Sequence, residues 1–256
     1  MKNIPLKSWF GRGRCSAIGA QLLFLFCAML AVAGRAAETV VTAPAASSAA
    51  SKVPARYEKV LAAARKDPPA PGTIICIGSS HMEFWKTVSD DLVPLRVHNH
   101  GVGGSTMLHA AELFVDNLAV AFKPRAVLLY EGSNDIAAGR APEEVLADFQ
   151  QFHRKLHATL PASRLYVISI VPSPGKRFES IGTVHKLNAL LRQECEGNSW
   201  IKFLDITTPL IGTDGQPKAE CFIPGNIHMR PAGYAIWTSV IAPVVVAAEK
   251  PFERTN

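Results

Sequence analysis

Gly72-Thr73-Ile74-Ile75-Cys76-Ile77-Gly78-Ser79-Ser80-His81-Met82-Glu83-Phe84-Trp85 reads as a buried strand, a tight turn of small residues and the start of a helix. Residues 74–77 are continuously apolar and mostly β-branched, as in a strand covered on both faces. Gly78 allows a sharp turn where a side chain would clash. Ser80 is then expected at the C-terminal edge of a parallel sheet and at a helix N-terminus. In open α/β sheets ligands bind at that edge, and a helix N-terminus favours developing negative charge. A serine there is well placed to be a nucleophile. The plainer alternative is that Ser79 and Ser80 only cap a helix.

The rest of the chain supplies the sheet. Residues 56–66 have helical composition. Residues 92–97 lead into a second short strand, and Asn99-His100-Gly101-Val102-Gly103-Gly104-Ser105-Thr106 reads as a glycine-rich turn before a helix reaching about residue 122. A third strand over 126–130 ends at Glu131-Gly132-Ser133-Asn134-Asp135. A helix over 142–159 opens on Pro142 with two acids in its first turn. A strand over 165–171, a helix over 180–196, a strand over 201–206 and a helix over 231–248 follow. Strands alternating with helices predict a parallel sheet with helices on both faces, a three-layer α/β/α domain. Right-handed crossovers then put every strand-end motif on one edge.

The net charge of +6 is concentrated at the N-terminus. Residues 1–37 hold Lys2, Lys7, Arg12, Arg14 and Arg35 and no acid, so the remainder carries only +1. A near-neutral remainder gives no electrostatic case for nucleic acid. The basic residues flank an apolar run over 17–33, followed by Ala36-Ala37, the pattern of a secretory signal peptide over 1–37. The run is short for a membrane span and is interrupted by Gln21. Cleavage and export, to the periplasm or beyond, are therefore expected, with membrane association only through the leader if it is uncleaved. Residues 38–54, rich in Ala, Ser, Thr and Pro, are expected to be a flexible linker, and residues 55–256 the folded domain. Of the five cysteines, Cys15 and Cys27 fall in the leader. Cys76 lies in the first strand, and Cys195 and Cys221 could pair in an oxidising compartment.

Ser80, Gly104 and Asn134 follow three successive strands, and His228 stands before the last helix in Gly225-Asn226-Ile227-His228-Met229-Arg230-Pro231. Acyl transfer needs a nucleophile, a base and donors aimed at an oxyanion. Ser80, His228, and the Ser80 N–H, Gly104 N–H and Asn134 amide would supply these in turn. Taken together, Gly78-Ser79-Ser80 with Phe84-Trp85, the stretch Asn99 to Ser105, Gly132-Ser133-Asn134-Asp135, and His228 with Pro231-Ala232-Gly233-Tyr234 resemble the blocks of the SGNH hydrolase superfamily, the GDSL esterases and lipases. Ser79 stands where that family usually has Asp. The match spans about residues 55–248. The resemblance implies a flavodoxin-like sheet of five parallel strands and ester hydrolysis through an acyl-serine, without metal or organic cofactor. Its expected partner is a small-molecule or glycan ester, such as a carbohydrate acetyl ester.

One departure stands out. The family's Asp-x-x-His pattern places the acid three residues before the histidine, where this chain has Gly225. In a serine triad that acid fixes the imidazole tautomer. A Ser–His dyad, another carboxylate such as Glu220 or Asp205, or weakened catalysis could follow. The rival readings are a catalytically impaired glycan-binding protein on the same fold and an acyltransferase using the same serine. Other histidines carry less. His98 and His100 alternate without a third ligand. His153 and His157 lie four apart but lack the intervening glutamate of a zinc hydrolase, so a solvated helix face is expected there. His81 adjoins the candidate nucleophile, and Trp85 is expected in the core or at a pocket wall.

Overall fold

The computed structural model describes residues 53–253. The expected leader over 1–37 and nearly all of the linker over 38–54 lie outside the described residues. Val53 and Pro54 already belong to the first helix, because Val53 is buried alongside Tyr57 and Leu61. Local composition places that boundary two residues too late.

Five strands, β1 (Ile74–Gly78), β2 (Val97–Gly101), β3 (Ala126–Tyr130), β4 (Arg164–Ile168) and β5 (Ile201–Leu204), form one sheet. All neighbouring pairs are parallel and the order is β2-β1-β3-β4-β5. This is the flavodoxin-like winding. The helices are α1 (Val53–Lys66), α2 (Ser80–Glu83), α3 (Val88–Asp91), α4 (Met107–His109), α5 (Ser133–Ala137), α6 (Pro142–Thr159), α7 (Ile181–Glu196) and α8 (Pro231–Glu249). Beyond α4 the chain widens into a π-helical stretch, Ala110–Ala119, and tightens into a 3-10 turn, Val120–Phe122.

Strand periodicity divides the core into two layers. Ile75 and Ile77 of β1 face α1, the π-helical stretch, α6 and α7, whereas Ile74 and Cys76 face Met82, Trp85 and α8. Both faces are dry, which is why β1 and β3 are continuous apolar runs rather than alternating ones. Burying each of Ile74, Ile75 and Ile77 contributes about 1.5–3 kcal/mol. The three-layer α/β/α architecture expected from the sequence is the observed one.

Two local expectations change. Asn99, His100 and Gly101, read as a turn, belong to β2 and pair with Cys76, Ile77 and Gly78. Their polar side chains find partners that sequence alone does not show. Asn99 Nδ2 donates to the Met82 carbonyl at 2.7 Å, and His100 Nδ1 donates to the Leu118 carbonyl at 2.6 Å. Tertiary pairing overrides the weak local strand propensity. Gly78 is required by close packing, since a Cβ there would lie 2.6 Å from the Tyr130 carbonyl oxygen and 2.8 Å from the Met82 Cβ.

Cys195 and Cys221 do not pair. Both are buried free thiols, Cys195 in the core layer on one face of the sheet and Cys221 in the layer on the other. The intervening sheet keeps them beyond disulfide reach. Cys76 is a buried strand thiol, and burial pushes its ionisation well above the ordinary range.

Candidate active site

The chain reverses direction around β1. It runs to β2 on one side and then crosses to β3 on the other, so the ends of β1 and β3 flank a crevice at the topological switch point. Backbone bonds tie the strand ends together. Val102 N–H donates to the Gly78 carbonyl at 2.7 Å, and Ser79 N–H to the Tyr130 carbonyl at 3.1 Å. Ser80, the first residue of α2, is held above this junction.

His228 comes from the far side of the sequence on a short hairpin. Phe222 bridges Met229 in antiparallel fashion, Ile223 N–H donates to the His228 carbonyl at 2.9 Å, and Arg230 N–H donates to the Cys221 carbonyl at 2.8 Å. The hairpin brings His228 Nε2 within 3.0 Å of Ser80 Oγ across 148 residues of sequence. The ring is half-buried. Burial and the positive charge of Arg177 hold its pKa below the ordinary value, with Glu83 pulling the other way. The imidazole is therefore neutral at physiological pH, the form able to accept a proton.

Gly104 follows β2 and Asn134 follows β3, on the same C-terminal edge of the parallel sheet as Ser80. Asn134 Nδ2 donates one hydrogen to the Ser105 carbonyl at 2.7 Å, which fixes its amide against the residue after Gly104. The second Nδ2 hydrogen remains available. The Ser80 and Gly104 N–H groups donate to no other group among the described residues. Asp135, the residue after Asn134, caps this arrangement. It accepts from Met107 N–H at 3.0 Å and from Arg140 at 2.7 Å, locking the start of α4 to the end of β3.

Residues 77–236 match the GDSL-like lipase/acylhydrolase family. The chain belongs to that family. Similar solved structures include a GDSL-like lipase from Bacteroides thetaiotaomicron, 18% identical, covering 76% of this chain and 98% of the other with a TM-score of 0.66. A family 3 carbohydrate esterase from Talaromyces cellulolyticus is 14% identical, with coverages of 70% and 98% and a TM-score of 0.52. Another, from Clostridium thermocellum, is 15% identical, with coverages of 69% and 98% and a TM-score of 0.51. At these identities the likeness is one of fold. No curated protein matches the chain.

Three further findings bear on the candidate residues. First, no carboxylate replaces the missing acid. Among the described residues nothing accepts a hydrogen bond from His228 Nδ1. Asp205 is spent on its own turn and on Arg192, and Glu220 is exposed. Second, His81 is buried directly behind the pair. Its Nε2–H donates to the Ile227 carbonyl at 3.1 Å, and its own carbonyl accepts from Tyr234 Oη at 2.9 Å. Burial and the neighbouring His228 push its pKa down to about 3, so it is a permanently neutral strut. Third, Arg177 contacts the candidate residue Asn134, and Glu131 contacts Ser105 beside Gly104, although neither stood out in the sequence. Glu131 is fully buried and bonded to Ser105 Oγ, and burial holds its carboxyl well above the usual range. An acid directly after the apolar run 126–130 was its one sequence signal.

The other histidines are structural. His153 is buried, not solvated as expected, because its Nε2 meets Glu194 at 2.9 Å between α6 and α7. His157 stacks on Trp200 at 4.4 Å. His98 and His100 pack edge to face at 4.8 Å in β2. Among the described residues no three His, Cys, Asp or Glu side chains gather as a metal site. Trp85 is core, and its Nε1–H donates to Asp91 at 2.6 Å.

Two cavities matter to placement. One of about 490 Å³ opens beside His228, lined by Phe84, Ile223, Met229 and Tyr234 with Lys86, Thr87 and Asp91 at its rim. Phe84 is 42% exposed and stands edge-on to the His228 ring at 4.9 Å. A cavity of about 560 Å³ lies at the opposite edge of the sheet among Arg96, Arg125 and Arg164. Its arginines are already paired with Glu249 and Glu253, and it is remote from the Ser80–His228 pair.

Proposed function

We propose that the chain is an exported serine ester hydrolase working through an acyl-serine on a small-acyl ester of a carbohydrate. The observation that carries this reading is the 3.0 Å contact between Ser80 Oγ and His228 Nε2 at the switch point. Ser80 Oγ attacks the ester carbonyl carbon while its proton passes to His228 Nε2. The oxyanion is held by the Ser80 and Gly104 N–H groups and the free Asn134 amide hydrogen. The intermediate collapses, the carbon–alkoxide bond breaks, and His228 returns the proton to the leaving alcohol. Water, deprotonated by His228, then attacks the acyl-serine, releasing the carboxylic acid and restoring Ser80. This is dyad chemistry, so turnover is expected below that of enzymes whose histidine is held by an acid.

Because His228 protonates the leaving alcohol, that alcohol must lie on the histidine side. The 490 Å³ cavity there supports a sugar alcohol, with Phe84 as an apolar platform and Lys86, Thr87 and Asp91 as hydroxyl partners. Export rests on the basic, apolar and small-residue pattern of residues 1–37.

Release of 4-nitrophenol from 4-nitrophenyl acetate, and of acetate from acetylated oligosaccharides, tests the reaction. Ser80→Ala is expected to lower kcat by at least about a thousandfold with an unchanged fold by circular dichroism. A folded native chain inactive on both substrates overturns the reading. Cell fractionation with mass determination of the mature N-terminus tests export.

A further inference from the structure

We propose that Arg177 is a positioning residue for the oxyanion hole: it fixes the Asn134 amide toward the reacting carbonyl and sets an uncompensated positive charge beside the nascent oxyanion. This rests on the esterase reading above. Arg177 lies in the 3-10 turn Gly175–Ser180 that follows β4. Its Nη1 donates to the Ser133 carbonyl at 3.1 Å and to Ser133 Oγ at 2.9 Å, and its Nη2 donates to Asn134 Oδ1 at 3.1 Å.

The amide is thereby keyed from both ends. Oδ1 faces a guanidinium, and Nδ2 faces the Ser105 carbonyl at 2.7 Å. A flipped amide would set NH₂ against the guanidinium and oxygen against the carbonyl, repulsive at both contacts. Only one orientation survives, and it leaves the second Nδ2 hydrogen for the oxyanion. Preorganisation of this kind is what makes such donors effective, since nothing must reorient when charge develops.

The charge is the second element. Arg96, Arg125, Arg140, Arg164 and Arg192 each pair with an acid. Arg177 is half-buried, yet among the described residues it touches neutral groups only. A desolvated guanidinium without an anion is costly, and the tetrahedral oxyanion would be its missing partner. The groups that face His228 are consistent with this division. Arg177 disfavours its imidazolium, Glu83 favours it more weakly, His81 stays neutral, and Gly225 contributes no charge. With no acid to stabilise the imidazolium, the intermediate is stabilised from the oxyanion side.

The test compares the native chain with Arg177→Gln, Arg177→Lys, Asn134→Ala and the Asn134→Ala/Arg177→Gln double variant on 4-nitrophenyl acetate. Labelling of Ser80 by a fluorophosphonate and thermal melting accompany the kinetics. Arg177→Gln is expected to lower kcat about 10- to 100-fold, with KM within about threefold, and to move the acid limb of kcat/KM to higher pH as His228 loses its cationic neighbour. Arg177→Lys, lacking the fork but keeping the charge, is expected to lose kcat without moving that limb, and carries the test if the Gln variant does not fold. The double variant should lose little beyond Asn134→Ala alone, because the two act as one unit. An Arg177→Gln variant with kcat within twofold of native, an unmoved limb, or fully additive losses overturns the proposal. If the native chain neither turns over ester nor labels at Ser80, the esterase reading falls and this role falls with it. If the native chain does both and Arg177→Gln equals it, only the Arg177 role falls.

Discussion

Gly225 occupies the position where the family's acid is expected, and its surroundings give a reason for glycine. Asn226 N–H donates to the Ile223 carbonyl at 2.9 Å, closing a turn with Pro224 and Gly225 in its two central positions. Gly225 has φ +68°, the left-handed value that the third residue of a type II turn requires. A Cβ built there meets nothing within 4 Å. Gly225→Asp is therefore expected to leave kcat within about threefold, because its carboxylate would extend into open space rather than onto His228. It should cost about 1 kcal/mol of stability, as a side chain at positive φ does. Parallel melting and 4-nitrophenyl acetate kinetics check both, and a rise in kcat of tenfold or more would mean that the carboxylate reaches the imidazole after all. The absence of the acid was legible from the sequence. The Pro224-Gly225 pair signals a turn in the sequence too; what the sequence did not show is that a side chain at Gly225 would face open space.

At the level of elements, the hairpin carrying His228 is fastened to the sheet through His81. The bond from its Nε2–H to the Ile227 carbonyl joins the residue before His228 to the helix that begins with Ser80. Tyr130 and Tyr234 brace the same residue, the first with its hydroxyl 3.4 Å from the ring Nδ1 and the second by donating to the His81 backbone carbonyl at 2.9 Å. His81→Phe keeps the bulk and removes the tether. The expected result is a fall in kcat of about 10- to 100-fold from misplacement of His228, with Ser80 still present. Comparing kcat with the melting temperature separates this from global unfolding, and an unaltered kcat would show that the hairpin holds its register without the tether. A histidine beside a candidate serine was visible in the sequence, but its partner lies 146 residues away.

For the whole molecule, burial of neutral histidines governs the response to acid. His81 is pushed down to about 3 and His100 to about 4, chiefly by burial, and His98, His109, His153 and His228 are also lowered. Unfolded histidine takes its proton near pH 6.5, so below that pH the unfolded chain binds protons that the folded chain refuses. Stability is thus fully present above about pH 6.5 and falls as pH drops toward 4, by up to about 1.4 kcal/mol per pH unit for each of the buried His81 and His100, with smaller contributions in the same direction from the others. Glu131 and Asp135, with raised pKa values, act oppositely but are fewer. Melting temperatures are expected to decline steadily from pH 7 to pH 4.5, and a flat or rising profile would contradict this balance.

The sequence by itself determined the α/β winding and marked Ser80, Gly104, Asn134 and His228 as candidates. Strands buried on both faces, strand-end glycines and helix starts leave short-range signatures in composition and spacing. It left β2 half hidden, because Asn99 and His100 are stabilised there by partners on other elements. Only the tertiary structure decided that Cys195 and Cys221 lie on opposite faces of the sheet and that His153 is buried on Glu194. It alone put Arg177 on the Asn134 amide. These are relations between residues far apart in the chain, fixed by which face of the sheet each element covers, and a linear pattern carries no record of that choice.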